Sequence, residues 1–159
     1  AAEFVEVDPT GPDATAAMAA YFAELDARFP NGFDASGALG SGAATMAPPT
    51  GTFLLARADD PTPVACGGLQ RIDARTAEIK RMWVHPDWRG TGLGRRMLAA
   101  LEQHAARRGY RRVVLDTNGT LTEAIAMYES NGYRAIARYN DNPYAERWYA
   151  KRLGVNAAA

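Results

Sequence analysis

Apolar and polar residues follow one another along the chain with two different periods. Phe4 to Asp8 alternates apolar and acidic positions and predicts a short strand, closed by the turn Asp8-Pro9-Thr10-Gly11. Met18, Tyr21, Phe22 and Leu25 then recur at helical spacing, with Asp13 or Thr15 placed to cap the helix and Pro30 with Asn31-Gly32 to stop it near Phe29. Residues 31 to 51 are rich in Gly, Ala and Ser and end in Pro48-Pro49-Thr50-Gly51. They predict a loop with room for one short helix, and a loop of this length points to a lid or binding segment. Thr52 to Ala58, Val64 to Asp73 and Ala77 to Val84 are strand-like and are joined by Asp59-Asp60-Pro61-Thr62 and Ala74-Arg75-Thr76, which makes an antiparallel meander. After Pro86 the period turns helical, with Leu93, Met97, Leu98, Leu101 and Ala105 on one face and Gly109 as the stop. Val113 to Leu115 is a short buried strand. Thr120-Leu121-Thr122-Glu123 has the form of a capping box, opening a helix that carries Leu121, Ala124, Ile125 and Tyr128 and ends at Asn131-Gly132. Tyr133 to Tyr139 and Ala145 to Leu153 form a closing hairpin.

The 159 residues suit one domain with one core, assigned to residues 1–156; Ala157-Ala158-Ala159 and Ala1-Ala2 carry no fold signal. A composition of 47% hydrophobic and 23% charged residues excludes a disordered or collagen-like chain. No apolar run approaches the roughly 20 residues that span a bilayer, and the first residues lack a basic-then-apolar signal pattern, so a cytoplasmic protein with no membrane partner is expected. The single cysteine, Cys66, has no partner for a disulfide, and beside only His85 and His104 it gives no metal-ligand spacing; no metal is expected. The net charge is zero but unevenly spread. Residues 1 to 60 hold nine acids and two arginines, whereas residues 71 to 112 hold eleven Lys or Arg and four acids. One segment suits an anionic ligand and the other a cationic one. The basic residues are not interleaved with a series of stacking aromatics, which argues against nucleic acid. A monomer or homodimer is expected.

The chemistry concentrates in Glu78 to Arg95, a strand running into a glycine turn that opens a helix. Glycines at 90, 92 and 94 let the backbone curl with its N–H groups inward, and the helix adds its positive end, which is a fit for pyrophosphate. Arg89 and Arg95 flank the turn as further phosphate donors. The spacing G-x-G-x-G departs from the dinucleotide fingerprint, and Arg95-Arg96 stand where a nucleoside triphosphate loop has Lys and Ser or Thr. A turn serving only to reverse the chain is the plainer alternative. Alternation places Glu78, Lys80, Met82 and Val84 on one face of the strand. Cys66 reads as a small buried hydrophobe, His85 as a turn residue, His104 as a boundary residue, and Trp83 and Trp88 as packing rings.

The chain resembles the GCN5-related N-acetyltransferase (GNAT) family, whose central motif is Arg or Gln, two residues, Gly, one residue, Gly or Ala; Arg89, Gly92 and Gly94 match it, and the likeness runs over roughly residues 50 to 139. The resemblance implies an α/β (α+β) fold: a mixed, strongly twisted central sheet of six to seven strands flanked by about four helices, with splayed strands 4 and 5 that admit the pantetheine arm of acetyl-CoA. It implies cofactor contacts from Met82, Trp83 and Val84 and from Arg89, Gly90, Thr91, Gly92, Leu93, Gly94 and Arg95. Glu78, six residues before Val84, resembles the family's general-base glutamate; the plainer alternative is a surface charge paired with Lys80 or Arg71. Ala124 to Tyr133 resembles the family's A-x-x-L-Y-E-x-x-G-F segment, which makes Tyr128 the general acid, with a core aromatic as the alternative. Leu121 stands where many relatives carry an Asn that contacts the cofactor arm, and Asn118 is near enough to substitute. In the family the acceptor lies between the first helices with their loop and the final hairpin, here Glu24, Asp26, Phe33 and Asp34 facing Asn140, Asp141, Asn142 and Tyr144. These groups suit a cationic small-molecule or peptide amine. The implied activity is acetyl transfer from acetyl-CoA to such an amine; a non-catalytic acyl-CoA sensor and a longer-chain acyltransferase are the rival expectations.

Overall fold

The computed structural model describes residues 2–35 and 42–154. The elements follow the predicted order: β1 (Glu3–Glu6), α1 (Pro12–Arg28), a 3-10 turn (Ala43–Met46), β2 (Thr52–Arg57), β3 (Pro63–Arg71), β4 (Thr76–Val84), a second 3-10 turn (Pro86–Trp88), α2 (Leu93–Arg107), β5 (Arg112–Thr117), α3 (Thr122–Ser130), β6 (Arg134–Ile136) and β7 (Arg147–Arg152). The strands form one sheet in the order β1-β2-β3-β4-β5-β7-β6. Every adjacent pair is antiparallel except β4 and β5, which run parallel across the α2 crossover. The sheet is mixed, as expected, and its seven strands fall within the six to seven expected. Among the described residues three α-helices and two 3-10 turns stand where about four helices were expected.

Period-two alternation divides the sheet between two cores. Leu54, Ala56, Ala65, Leu69, Ala77, Ile79, Val113 and Leu115 face α2, whose Leu93, Met97, Leu98, Leu101 and Ala105 form the predicted stripe. Phe53, Leu55, Cys66 and Trp83 face the opposite way, against Ala14, Met18, Phe22 and Leu25 of α1. Gly109, at φ 92, ends α2 as expected. Ala2, given no fold role from sequence, is 3% exposed. Its carbonyl accepts from Arg96 Nη2 at 3.1 Å. Ala1, residues 36–41 of the predicted lid and Ala157-Ala158-Ala159 lie outside the described residues.

Two local expectations fail for identifiable reasons. Gly11, not Asp13 or Thr15, caps α1: Pro12 needs no N–H partner, Thr15 Oγ1 turns back to the Gly11 carbonyl at 2.8 Å, and Asp13 pairs with Arg57 at 2.6 Å. The Thr120 capping box does not form, because Asn118 Oδ1 accepts from the Thr120 N–H at 2.9 Å and its hydroxyl at 2.8 Å, while Glu123 reaches Arg28 at 3.0 Å. The final two strands pair as the expected hairpin, and β7 lies between β5 and β6, matching Arg112 through Thr117 with Arg152 through Arg147.

Leu101 is fully buried between α2 and the sheet. Leu101→Ala is expected to lower the free energy of unfolding by about 2–5 kcal/mol. The readout is an earlier urea midpoint with an unchanged slope; an unmoved midpoint would contradict this packing.

Candidate active site

β4 and β5 pair only at Thr76 with Arg112, Ala77 with Val113 and Glu78 with Val114, although β4 continues to Val84 and β5 to Thr117. Beyond Glu78 the edge of β4 facing β5 has no strand partner. The cause lies on the other side of β4. Cys66 pairs with Trp83 and Gly68 with Lys80, so Arg81 and Met82 stand together opposite Gly67, and Arg81 sits at φ 57. A bulge of this kind bends a strand and increases its twist. Gly67 accommodates it, since a Cβ there would lie 2.7 Å from Leu101 Cδ1.

The bulge also overturns the expected facing of β4. Glu78, Lys80 and Trp83 lie on the α1 face with Gln70, Gly68 and Cys66, whereas Met82 and Val84 pack with Ala77 and Ile79 against the α2 core. Glu78 therefore does not share a face with Met82 and Val84. One extra residue shifts the period-two phase and reverses every later side chain. The Arg81 side chain folds under α1, its Nη1 3.2 Å from Met18 Sδ and its guanidinium 5.4 Å from the centre of the Phe22 ring. Cys66 Sγ donates to the Arg81 carbonyl at 3.2 Å. Burial pushes the Cys66 thiol up to about 12, with Arg81 opposing, so it is packing and not a nucleophile.

A cavity of about 480 Å³ occupies the parting. Ile79, Lys80, Arg81 and Met82 line one side, Asp116, Thr117 and Asn118 the other, with Ala124 and Tyr128 of α3. Tyr128 is 6% exposed and lies against Tyr133 and Tyr149, at ring separations of 5.7 and 6.3 Å. Those two phenols donate to Glu102 and Glu129, whereas the Tyr128 hydroxyl has no hydrogen bond among the described residues. Burial, and then the charge of Asp116, raise the Tyr128 pKa, so the phenol keeps its proton.

The glycine turn begins just past β4. Gly90 and Gly92 have φ of 80 and 85, a region open to glycine, and Gly92 caps α2. The first helical hydrogen bond runs from the Arg96 N–H to the Gly92 carbonyl, which leaves the N–H groups of Leu93, Gly94 and Arg95 without helical acceptors. Gly94 permits close packing: a Cβ there would lie 3.1 Å from Met127 Sδ and 3.5 Å from Val84 Cγ2. Thr91 Oγ1 closes the turn onto the Trp88 carbonyl at 2.5 Å, and His85 Nδ1 accepts from the Asp87 N–H at 3.0 Å, the turn role expected of it. Arg89 is held away from the turn, with Nε donating to the Val84 carbonyl at 3.0 Å and a terminal nitrogen paired with Glu24.

That pairing changes the picture of the acceptor side. Glu24 also takes Arg28 at 3.3 Å, Asp26 accepts from the Phe33 N–H at 2.8 Å, and neither lines the cavity. Phe33 and Tyr144 do line it, with ring centres 4.6 Å apart, and the Tyr144 hydroxyl accepts from the Asp34 N–H at 3.0 Å. Asn118 lines it too, but its amide donates to the Tyr144 carbonyl at 2.8 Å and its Oδ1 serves Thr120.

Asp34 and Asp116 line this cavity, and Glu78 stands next to Asp116 where the strands part. Glu78 is 4% exposed and pairs with neither Lys80 nor Arg71. It accepts from the Tyr139 hydroxyl at 2.6 Å, Gln70 Nε2 at 2.7 Å and Asn140 Nδ2 at 3.4 Å. Burial, and then the Glu78 charge, raise the Tyr139 pKa, so this phenol stays a donor. Asp116 accepts from Asn140 Nδ2 at 2.5 Å and Asn142 Nδ2 at 3.2 Å, and Trp148 Nε1 orients Asn140 at 2.9 Å. Sequence reasoning missed Asp116; the continuous apolar run Val113 to Leu115 before it gives no period to mark it. A second cavity, of about 400 Å³, touches both carboxylates and shares Lys80, Asp116 and Asn142 with the first.

Comparison with known proteins matches this arrangement. An uncharacterized N-acetyltransferase of Schizosaccharomyces pombe is 34% identical over 97 residues, which cover 60% of this chain and 60% of that protein. The chain spans no more than 60% of the length of any of six such relatives. A GNAT-family acetyltransferase of Staphylococcus aureus superposes with a TM-score of 0.84 at 20% identity, covering 97% of this chain and all of the other, a likeness of fold. A GNAT acetyltransferase of Elizabethkingia anophelis with acetyl-CoA bound gives 0.55 at 20% identity, over 65% of this chain and 77% of that one. The model of the acetyltransferase (GNAT) family matches residues 16–133, which include most of α1, the parted strands, the glycine turn and Tyr128. The chain belongs to the GNAT acetyltransferase family.

Proposed function

We propose that the domain, over residues 1–156, transfers an acetyl group from acetyl-CoA to a primary amine by direct attack in a ternary complex. The observation that carries this is the parting of β4 from β5 beyond Glu78, with a 480 Å³ cavity in the gap and the glycine turn at its open end. The unpartnered edge of β4 from Ile79 to Val84 offers backbone groups to an extended amide-bearing arm as a neighbouring strand would. The turn from Gly90 to Arg95 offers inward N–H groups and the positive end of α2 to a pyrophosphate. Arg89 can join it only by leaving Glu24, so Arg95 is the readier cation.

When bound, acetyl-CoA supplies the thioester. The N–H of Trp83 or Val84 polarises its carbonyl as negative charge develops on the oxygen. A C–N bond forms to the amine, the C–S bond breaks, and the amine's proton passes through water to Glu78. Tyr128, neutral and without another hydrogen-bond partner among the described residues, gives its proton to the departing thiolate.

Tyr128→Phe and Glu78→Gln are each expected to lower kcat at least about a hundredfold while leaving coenzyme A binding intact. Thiol release from acetyl-CoA with a panel of amines measures this; variants that match the parent would remove both assignments. Gly92→Ala forces a Cβ into a left-handed conformation costing about 1–2 kcal/mol. It is expected to weaken coenzyme A binding in calorimetry without abolishing folding, and an unchanged affinity would remove the turn as the phosphate site.

A further inference from the structure

The second cavity lies on the sheet face opposite α2. Thr76, Glu78 and Lys80 of β4 and Arg112, Val114 and Asp116 of β5 line it, with Tyr139 and Asn140 above. It holds two acids and two cations in unequal states. Glu78 and Asp116 already accept hydrogen bonds from neutral donors: Gln70, Tyr139, Asn140 and Asn142. Among the described residues the Lys80 ammonium has neither a hydrogen bond nor an ion pair. Arg112 uses only Nε, 3.3 Å from Thr76 Oγ1, and influences Asp73 without reaching it in an ion pair. The anions are satisfied and the cations are open.

We infer that the amine acceptor carries a carboxylate, bound by Lys80 and Arg112 in this second cavity, with its amine directed past Asp116 toward the first. The inference rests on the acyl-transfer function proposed above and specifies its acceptor. The guanidinium fork of Arg112 matches a carboxylate in two parallel hydrogen bonds, and Lys80, which stands level with Asp116, adds a point charge at the end of a flexible four-carbon stem long enough to lean back along the cavity. The shared wall of Lys80, Asp116 and Asn142 is where one cavity gives onto the other. Arg112 and Asp116 are four residues apart on one strand, roughly 13 Å. Carboxylate and amine therefore stand at opposite ends of a chain of several methylenes. Ile72, 45% exposed and lining the cavity, offers those methylenes an apolar contact. The acceptor class is an ω-amino carboxylate, lysine-like in reach.

The test compares ε-aminocaproate with its neutral amide and with n-hexylamine as acceptors, using acetyl-CoA and the full chain. The parent is expected to prefer ε-aminocaproate in kcat/KM by about tenfold, through KM, and Lys80→Met and Arg112→Gln each to reduce that preference severalfold. Circular dichroism melts confirm that both variants are folded. Turnover of the amide or n-hexylamine at least as efficient as that of ε-aminocaproate overturns the inference and leaves the acyl-transfer function standing. So does a preference that neither variant moves. No turnover of any of the three by a protein that binds acetyl-CoA overturns the inference together with the function on which it rests.

Discussion

Two parallel strands that stop pairing partway along their length leave backbone N–H and C=O groups without partners, and a sheet interior tolerates such groups only when something else takes them up. That is the condition of β4 beyond Glu78. The strand cannot close onto β5 because two of its residues, Arg81 and Met82, face the single Gly67 on its other side. The distortion is held in place from both faces: Arg81 is anchored beneath α1, and Met82 and Val84 rest on the α2 core. An opening anchored this way is a preformed slot and needs no rearrangement to receive an extended ligand.

The slot and the polar network meet on β4. Glu78, ahead of the bulge and between Ala77 and Ile79, projects away from the α2 core toward Gln70, Tyr139 and Asn140, the bulge turns Met82 and Val84 back onto that core, and Tyr128 approaches the gap from α3. The acid-base candidates thus come to the parting from different layers, one with β4 and one with the α3 crossover. Asn140 ties Glu78 to Asp116 across it. Arg89, Glu24, Arg28 and Glu123 make a second link, an ionic chain from the glycine turn through α1 to α3. Each pair is partly exposed, so the chain positions these elements more than it stabilises them.

Most of the architecture is legible in the chain itself. The stripe from Leu93 to Ala105, the strand-like apolar runs of β2 and β3, and the glycines at 90, 92 and 94 are local patterns with local causes, and they appear where the chain places them. The bulge is not legible in this way. Period-two reasoning assumes an unbroken ladder, and the break depends on Gly67 of another strand admitting two residues opposite it. The acids of α1 fail for a similar reason: Glu24 looks available for an acceptor until the fold brings Arg89 from 65 positions away. Caps at Asp13 and Thr120 were legible as residue types, but stronger partners took their side chains. Asp116 follows the continuous apolar run Val113 to Leu115, which gives no period to mark it, and it drew no notice without a motif around it.

The parting of β4 from β5 as the seat of the cofactor is tested most directly by amide hydrogen exchange with and without saturating coenzyme A. Slowed exchange is expected at two places, those β4 amides between Ile79 and Val84 that point away from β3 and the turn from Gly90 to Arg95, because the ligand would take up backbone groups that now lack partners. Coenzyme A bound with those amides unchanged, or with protection confined to another face of the sheet, would contradict it.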